Sequence, residues 1–167
     1  MENRGEIVAC DVRAEALAEL ERRAARAGVR IIKTFHLDRA QPSGPFDLML
    51  LDAPCSGTGT WRRQPELRWR LTPERLADLT RIQDRLLDEA ARHTRPGGMI
   101  LYATCSVLPV ENQDRIAAFL ARQPRFVRVN LMENWQAVPP PGLAGDFRAS
   151  PARTGTDGFF AAGLGRS

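Results

Sequence analysis

Cysteine is scarce in this 167-residue chain: Cys10, Cys55 and Cys105 are the only ones. Three scattered thiols cannot build a disulfide framework, and an odd number cannot all pair within one chain, so free thiols are expected. Zinc has no foothold, because there is no Cys-x-x-Cys pair and the two histidines, His36 and His93, stand at no ligand spacing. No run approaches the roughly 18 apolar residues of a membrane span. Glu2, Arg4 and Glu6 do not form the basic-then-apolar pattern of an export signal, so the expected location is the cytoplasm. A serine-hydrolase Gly-x-Ser-x-Gly elbow and a Gly-x-x-x-x-Gly-Lys phosphate loop are also absent. Lysine is nearly missing too, Lys33 being the only one among 24 basic residues against 20 acidic ones. The net charge of +4 permits a nucleic-acid partner without requiring one.

What is present is 43% apolar and 26% charged, the composition of one globular domain covering 1–167. Short apolar runs alternate with stretches of helical period, which predicts an α/β fold around a mostly parallel sheet. Strands are expected at 6–10, 29–35, 46–51, 98–104, 125–131 and 158–163. The first helix, 13–27, places Ala14, Leu17, Leu20 and Ala24 on one face and stops before Gly28. The second, 73–93, has Thr72 as N-cap, Pro73 at its first position and a stripe of Leu76, Leu79, Ile82, Gln83, Leu86, Leu87 and Ala90. A third, about 110–122, buries Ile116, Phe119 and Leu120. Residues 132–156 read as a long loop.

Open α/β sheets bind ligands beyond the carboxyl ends of their strands, and the chemically interesting residues fall there. Asp11 follows the first strand, Asp38 the second, Asp52 to Cys55 the third and Cys105 the fourth. A single crossover through helix 73–93 would make strands 46–51 and 98–104 neighbours and bring both thiols to one rim. In Asp52-Ala-Pro-Cys55-Ser-Gly-Thr-Gly, Pro54 fixes a bend and the glycines allow close approach to the backbone. A plain turn with a buried cysteine fits the same residues equally well. Asp11 suits a helix cap or an acceptor for ribose hydroxyls. Arg62, Arg63, Arg68, Trp69 and Arg70, with Trp61, form the densest basic and aromatic cluster, suited to an RNA strand or to a solvated loop anchored by its tryptophans.

Taken in order, Asp52-Ala-Pro-Cys55-Ser-Gly-Thr-Gly, Tyr102-Ala-Thr-Cys105-Ser with Glu111-Asn112, and Asp157-Gly-Phe-Phe160 resemble the motifs of the Nop/Sun (Fmu) family of RNA 5-methylcytosine methyltransferases. The resemblance implies a Rossmann-like class I methyltransferase fold with helices on both faces of the sheet, and S-adenosylmethionine as cofactor. It places Asp11, Asp38, Asp52 and Pro54 at the cofactor, with Leu37 standing where the family has glycine before the second acidic residue. It gives Cys105 the role of nucleophile toward cytosine carbon 6, Cys55 that of assisting release, and Asp52 a hydrogen bond to the nitrogen edge of the base. RNA, ribosomal rather than transfer, is the implied partner. The family's first strand and glycine-rich loop have no counterpart ahead of Val8-Ala-Cys-Asp11, so the expectation is a truncated catalytic domain with an interrupted sheet and an exposed edge open to self-association. The rival readings are a non-catalytic RNA-binding fragment of the same fold, unable to hold the methyl donor, and an enzyme of this fold acting on a small molecule or protein.

Overall fold

The structure, a computed structural model, describes residues 1–39, 42–131 and 145–167. It divides into two compact units, 1–43 and 44–167. In the first, β1 (Ile7–Asp11) and β2 (Ile32–His36) pair in parallel with Asp11 opposite His36, and α1 (Ala14–Arg26) connects them. Leu17 is buried on α1, with Leu20 and Ala24 half-buried, whereas Ala14, expected on that face, is exposed at the first helical position. β2 starts three residues later than predicted because Asn3 occupies the preceding backbone. Its side chain donates to the Gly28 carbonyl (2.9 Å) and accepts from the Arg30 amide (2.9 Å).

The second unit carries β3 (Phe46–Asp52), α2 (Pro73–His93), β4 (Thr94–Thr104), α3 (Gln113–Arg122), β5 (Phe126–Val129), β6 (Phe147–Ala149), α4 (Pro151–Thr154) and β7 (Phe159–Arg166). Its strands lie in the order β3-β4-β7-β5, with β6 also on β7. The α/β, Rossmann-like class expected from sequence holds, but this sheet is mixed. β3 and β4 are parallel, while β7 runs antiparallel to β4, β5 and β6. An apolar strand pattern carries no direction, which is why the reversal of β7 was not legible.

Thr72 caps α2 as its sequence predicts, accepting from the Arg75 amide at 3.2 Å. The helix buries Leu79, Gln83, Leu87 and Ala90. β4 begins at Thr94, four residues before the predicted start, and bulges around Gly97-Gly98 before rejoining β3 at Met99. From there its pleat turns Ile100, Tyr102 and Thr104 inward. They pack with Leu87, Ile116, Phe119, Phe160 and Leu164, Tyr102 meeting Phe160 edge-on and Phe119 meeting Phe126 likewise at 5.2 Å. Each large side chain buried here contributes about 1.5–3 kcal/mol. The predicted third helix is split into a 3-10 turn at Pro109–Glu111 and α3 proper, with Asn112 in a non-helical conformation between them. Of the predicted loop 132–156, residues 132–144 lie outside the described residues. The remainder holds β6 and α4, the latter capped by Ser150.

Candidate active site

Because β3 and β4 are parallel neighbours, with Asp52 opposite Ala103, the chain leaves both strands at the same edge. The Ala53 amide donates to the Ala103 carbonyl at 2.9 Å and carries the ladder one residue further. Cys55 and Cys105, 50 residues apart in sequence, consequently meet with their sulfurs 3.4 Å apart, both partly buried. The two thiols are driven in opposite directions. Cys105 is lowered to about 7, chiefly because Cys55 donates a hydrogen bond to its thiolate, which outweighs burial and the nearby charges of Asp52 and Glu111. Cys55 is pushed far up by the same contact and by burial, so it keeps its proton. Asp52 sits exposed at the end of β3.

This asymmetry has a measurable consequence. In a Cys10→Ser background, iodoacetamide should label Cys105 at a rate that rises with pH through a midpoint near 7, because only the thiolate reacts. Removing the donor with Cys55→Ala should move that midpoint up toward the ordinary thiol value of about 8.5. An identical midpoint in both proteins would contradict the pairing.

A buried polar network holds the cysteine turns, and Glu111 is its centre. Its fully buried carboxylate accepts from the Ser56 amide (2.8 Å), the Ser56 hydroxyl and the Gln83 side chain (3.1 Å). Gln83 also donates to the Pro54 carbonyl at 2.9 Å, so Pro54 itself is fixed from α2. On the other turn, the Ser106 hydroxyl lies 3.0 Å from that of Thr58, and Asn112 donates to the Ser106 carbonyl (2.9 Å) while accepting from Thr104 (2.6 Å). The glycines of the first turn permit a closer contact still. The Gly59 amide donates to the Cys105 carbonyl (2.9 Å), and the Gly59 carbonyl accepts from the Gly158 amide (2.8 Å). From sequence Glu111 stands only as part of a motif with no role attached, and Gln83 only as part of a core-facing stripe. The break between the 3-10 turn and α3, which aims Glu111 inward, has no signature in the helical period.

The basic cluster divides in two. Arg63 is bound to the buried carboxylate of Asp157, and Arg62 stands 3.8 Å from it, so these two tie the loop to the segment before β7. Arg68, Trp69 and Arg70 face solvent on the following 3-10 turn. Arg68 lies 5.3 Å from the ring centroid of Trp69, which is 81% exposed.

Comparison with known proteins adds to this geometry. Residues 1–165 match the family described as 16S rRNA methyltransferase RsmB/F. The chain belongs to that family. Among its RsmB/F relatives, the ribosomal RNA small subunit methyltransferase B of Xylella fastidiosa is 47% identical over 120 residues, covering 72% of this chain and 27% of that protein. The protein of the same name from Sodalis glossinidius is 39% identical over 158 residues, covering 92% of this chain and 35% of the relative. The chain thus spans about a quarter to a third of these relatives' length. Among solved structures, PH0851 superposes with a TM-score of 0.85 at 38% identity, covering 98% of this chain and 38% of that one. NSun6 from Pyrococcus horikoshii, solved with SFG, gives 0.79 at 26% identity, covering 99% of this chain and 42% of that one.

RsmB/F membership implies a methyl donor, and the first unit offers acceptors for it. Asp11 ends β1, and Asp38 lies two residues past its pairing partner His36, so both carboxylates stand at the carboxyl rim of adjacent parallel strands. Asp38 is exposed. Asp11 already accepts from the Arg13 amide (2.8 Å) and its guanidinium (3.2 and 2.9 Å), which lowers its pKa. Of the roughly four acceptor positions on a carboxylate this leaves about one. One open position is too few for a diol, so Arg13 must yield for Asp11 to take two hydroxyls.

Proposed function

We propose that this chain forms part of an S-adenosylmethionine-dependent enzyme that methylates carbon 5 of cytosine in ribosomal RNA. The observation that carries the reading is the pair of sulfurs 3.4 Å apart, one favoured as thiolate and one holding its proton. Carbon 5 of cytosine is a weak nucleophile. A thiolate adding to carbon 6 makes it a strong one, and such a step needs a nucleophile ionised near neutral pH. Cys105 meets that need. Asp52, exposed at the same rim, faces the nitrogen edge of the base and passes a proton to the ring nitrogen, neutralising the negative charge that addition pushes onto the ring. Asp11 and Asp38 are the candidate holders of S-adenosylmethionine in the first unit, and the cofactor would supply an electrophilic methyl group. The relatives named as ribosomal RNA methyltransferases and the NSun6 structure with SFG, an analogue of that cofactor, support this assignment.

Cys55 then acts after methylation. While Cys105 is a thiolate, the contact between the sulfurs keeps the proton on Cys55. Once the Cys105 sulfur is bonded to carbon, that cause is gone and only burial still favours the thiol; Cys55 releases its proton to solvent and takes the carbon 5 proton, and the electrons of that C–H bond re-form the 5,6 double bond as Cys105 leaves as a thiolate. RNA carrying 5-fluorocytosine tests the scheme, since fluorine cannot leave as a proton does. With S-adenosylmethionine, the protein should form a covalent RNA complex that survives denaturation and vanishes in Cys105→Ala. On unmodified RNA, Cys55→Ala should accumulate the same adduct. A complex that persists in Cys105→Ala would overturn the scheme.

A further inference from the structure

We propose that the groove beside the Cys105 turn binds the nucleotide adjoining the target base on the same RNA strand. This rests on the cytosine-methylation reading and adds to it a binding site for the flanking sequence. The groove has a volume of about 210 Å³ and is lined, among the described residues, by Ser106, Val107, Gln113, Arg148, Arg153 and Phe159 with their neighbours. Ser106, part of its lining, directly follows Cys105 in the chain and is pinned by Thr58 and Asn112. Small-molecule pockets usually enclose about 300–1,000 Å³. A smaller groove beside a reactive thiol suits one unit of a polymer lying across it.

The lining chemistry is that of a nucleotide. Phe159 is 43% exposed while Phe160 is buried, since the pleat of β7 sends alternate side chains to opposite faces. An outward phenyl is a stacking platform for a base. Its mounting is firm: the Gly158 amide is bonded to Gly59, and Gly158 packs so tightly against Val107 that a β-carbon there would lie 2.4 Å from it. Among the described residues two arginines and no carboxylate line the groove, which favours an anion. Arg148 is held in place, 3.4 Å from Asp146 and 5.7 Å from the Phe160 ring centroid. The Arg153 guanidinium has no ion pair among the described residues and is free to meet a phosphate. The side-chain amide of Gln113 also has no partner there and offers both a donor and an acceptor to a base edge. An acidic peptide would use the arginines but not the stacking face, which favours RNA as the occupant.

The test is binding of a short single-stranded oligoribonucleotide containing one cytosine, followed by fluorescence anisotropy over a range of salt. Phe159→Ala should weaken binding about tenfold to a hundredfold, the loss expected for one stacked base. Arg153→Ala should weaken it and reduce the slope of log K against log salt by about 0.7, one phosphate contact on a single strand. It should raise the KM for RNA with kcat unchanged. Wild-type affinity and salt slope in both variants would overturn the groove assignment while leaving the Cys105 adduct intact. Conversely, loss of the Cys105 adduct with the variant effects preserved would defeat the methylation reading and keep the groove as an RNA site. If polyglutamate competes with RNA and Phe159→Ala binds RNA normally, the groove is an acidic-protein surface and the proposal is wrong.

Discussion

Alanine at position 59 is expected to destabilise the protein by about 3 kcal/mol and to abolish the unusual reactivity of Cys105. A β-carbon there would lie 2.1 Å from the Gly158 carbonyl oxygen and 2.7 Å from that of Cys105. Both obstacles are backbone atoms of structured segments, so neither can swing aside as a flexible side chain would. Overpacking of this kind costs roughly 1–3 kcal/mol, more where the backbone must move. For a protein of this size the loss corresponds to about 10 °C in Tm. The required shift also pulls on the Gly59 amide bond to the Cys105 carbonyl, and with it on the alignment of the two sulfurs. Thermal unfolding and the pH profile of Cys105 alkylation check the two parts separately. An unchanged Tm would show that the segments separate without cost.

Glu111 separates the role of a shape from that of a charge. Glu111→Ala leaves the Ser56 amide without its acceptor, takes the strong acceptor from the Ser56 hydroxyl, and leaves the Gln83 amide only the Pro54 carbonyl. At about 1–3 kcal/mol for each unsatisfied buried group, plus a cavity, the expected loss is about 4 kcal/mol. Glu111→Gln keeps the volume and one acceptor oxygen, and the Ser56 hydroxyl can turn to accept from the new amide. Its stability should stay within about 1 kcal/mol of wild type, because it also spares the cost of burying a charge. The carboxylate's charge opposes ionisation of Cys105, so Glu111→Gln should move the alkylation midpoint below about 7. A midpoint displaced upward would mean that Glu111 acts only by positioning the turn. Chemical denaturation and peptide-resolved alkylation report the two effects.

The sequence made the core of the site legible because its signals are local. Thr72-Pro73 marks the start of α2, the apolar runs before Asp52 and Cys105 mark β3 and β4, and a connection through one helix makes parallel neighbours of them. The meeting of Cys55 with Cys105 follows from that topology alone. What stayed hidden depends on contacts between distant segments. The capture of Arg63 by Asp157 is invisible in a list of basic residues, and the Glu111-Asn112 motif does not tell that Glu111 is buried beneath the Cys55 turn. The short elements β6 and α4 fell inside what reads as loop, since three-residue strands and single helical turns are too brief to show a period.

The backbone contact between Gly59 and Gly158 also governs when the site can come into being. Its two halves are separated by about 100 residues, and closing so long a stretch costs roughly 4 kcal/mol of chain entropy before any packing offsets it. A nascent polypeptide that has emerged only as far as Cys105 already carries both sulfurs but not the segment that braces them. Nucleophilic competence is therefore acquired only once β7 and the segment before it dock, and a polypeptide that stops short of Gly158 would lack the brace on its thiols.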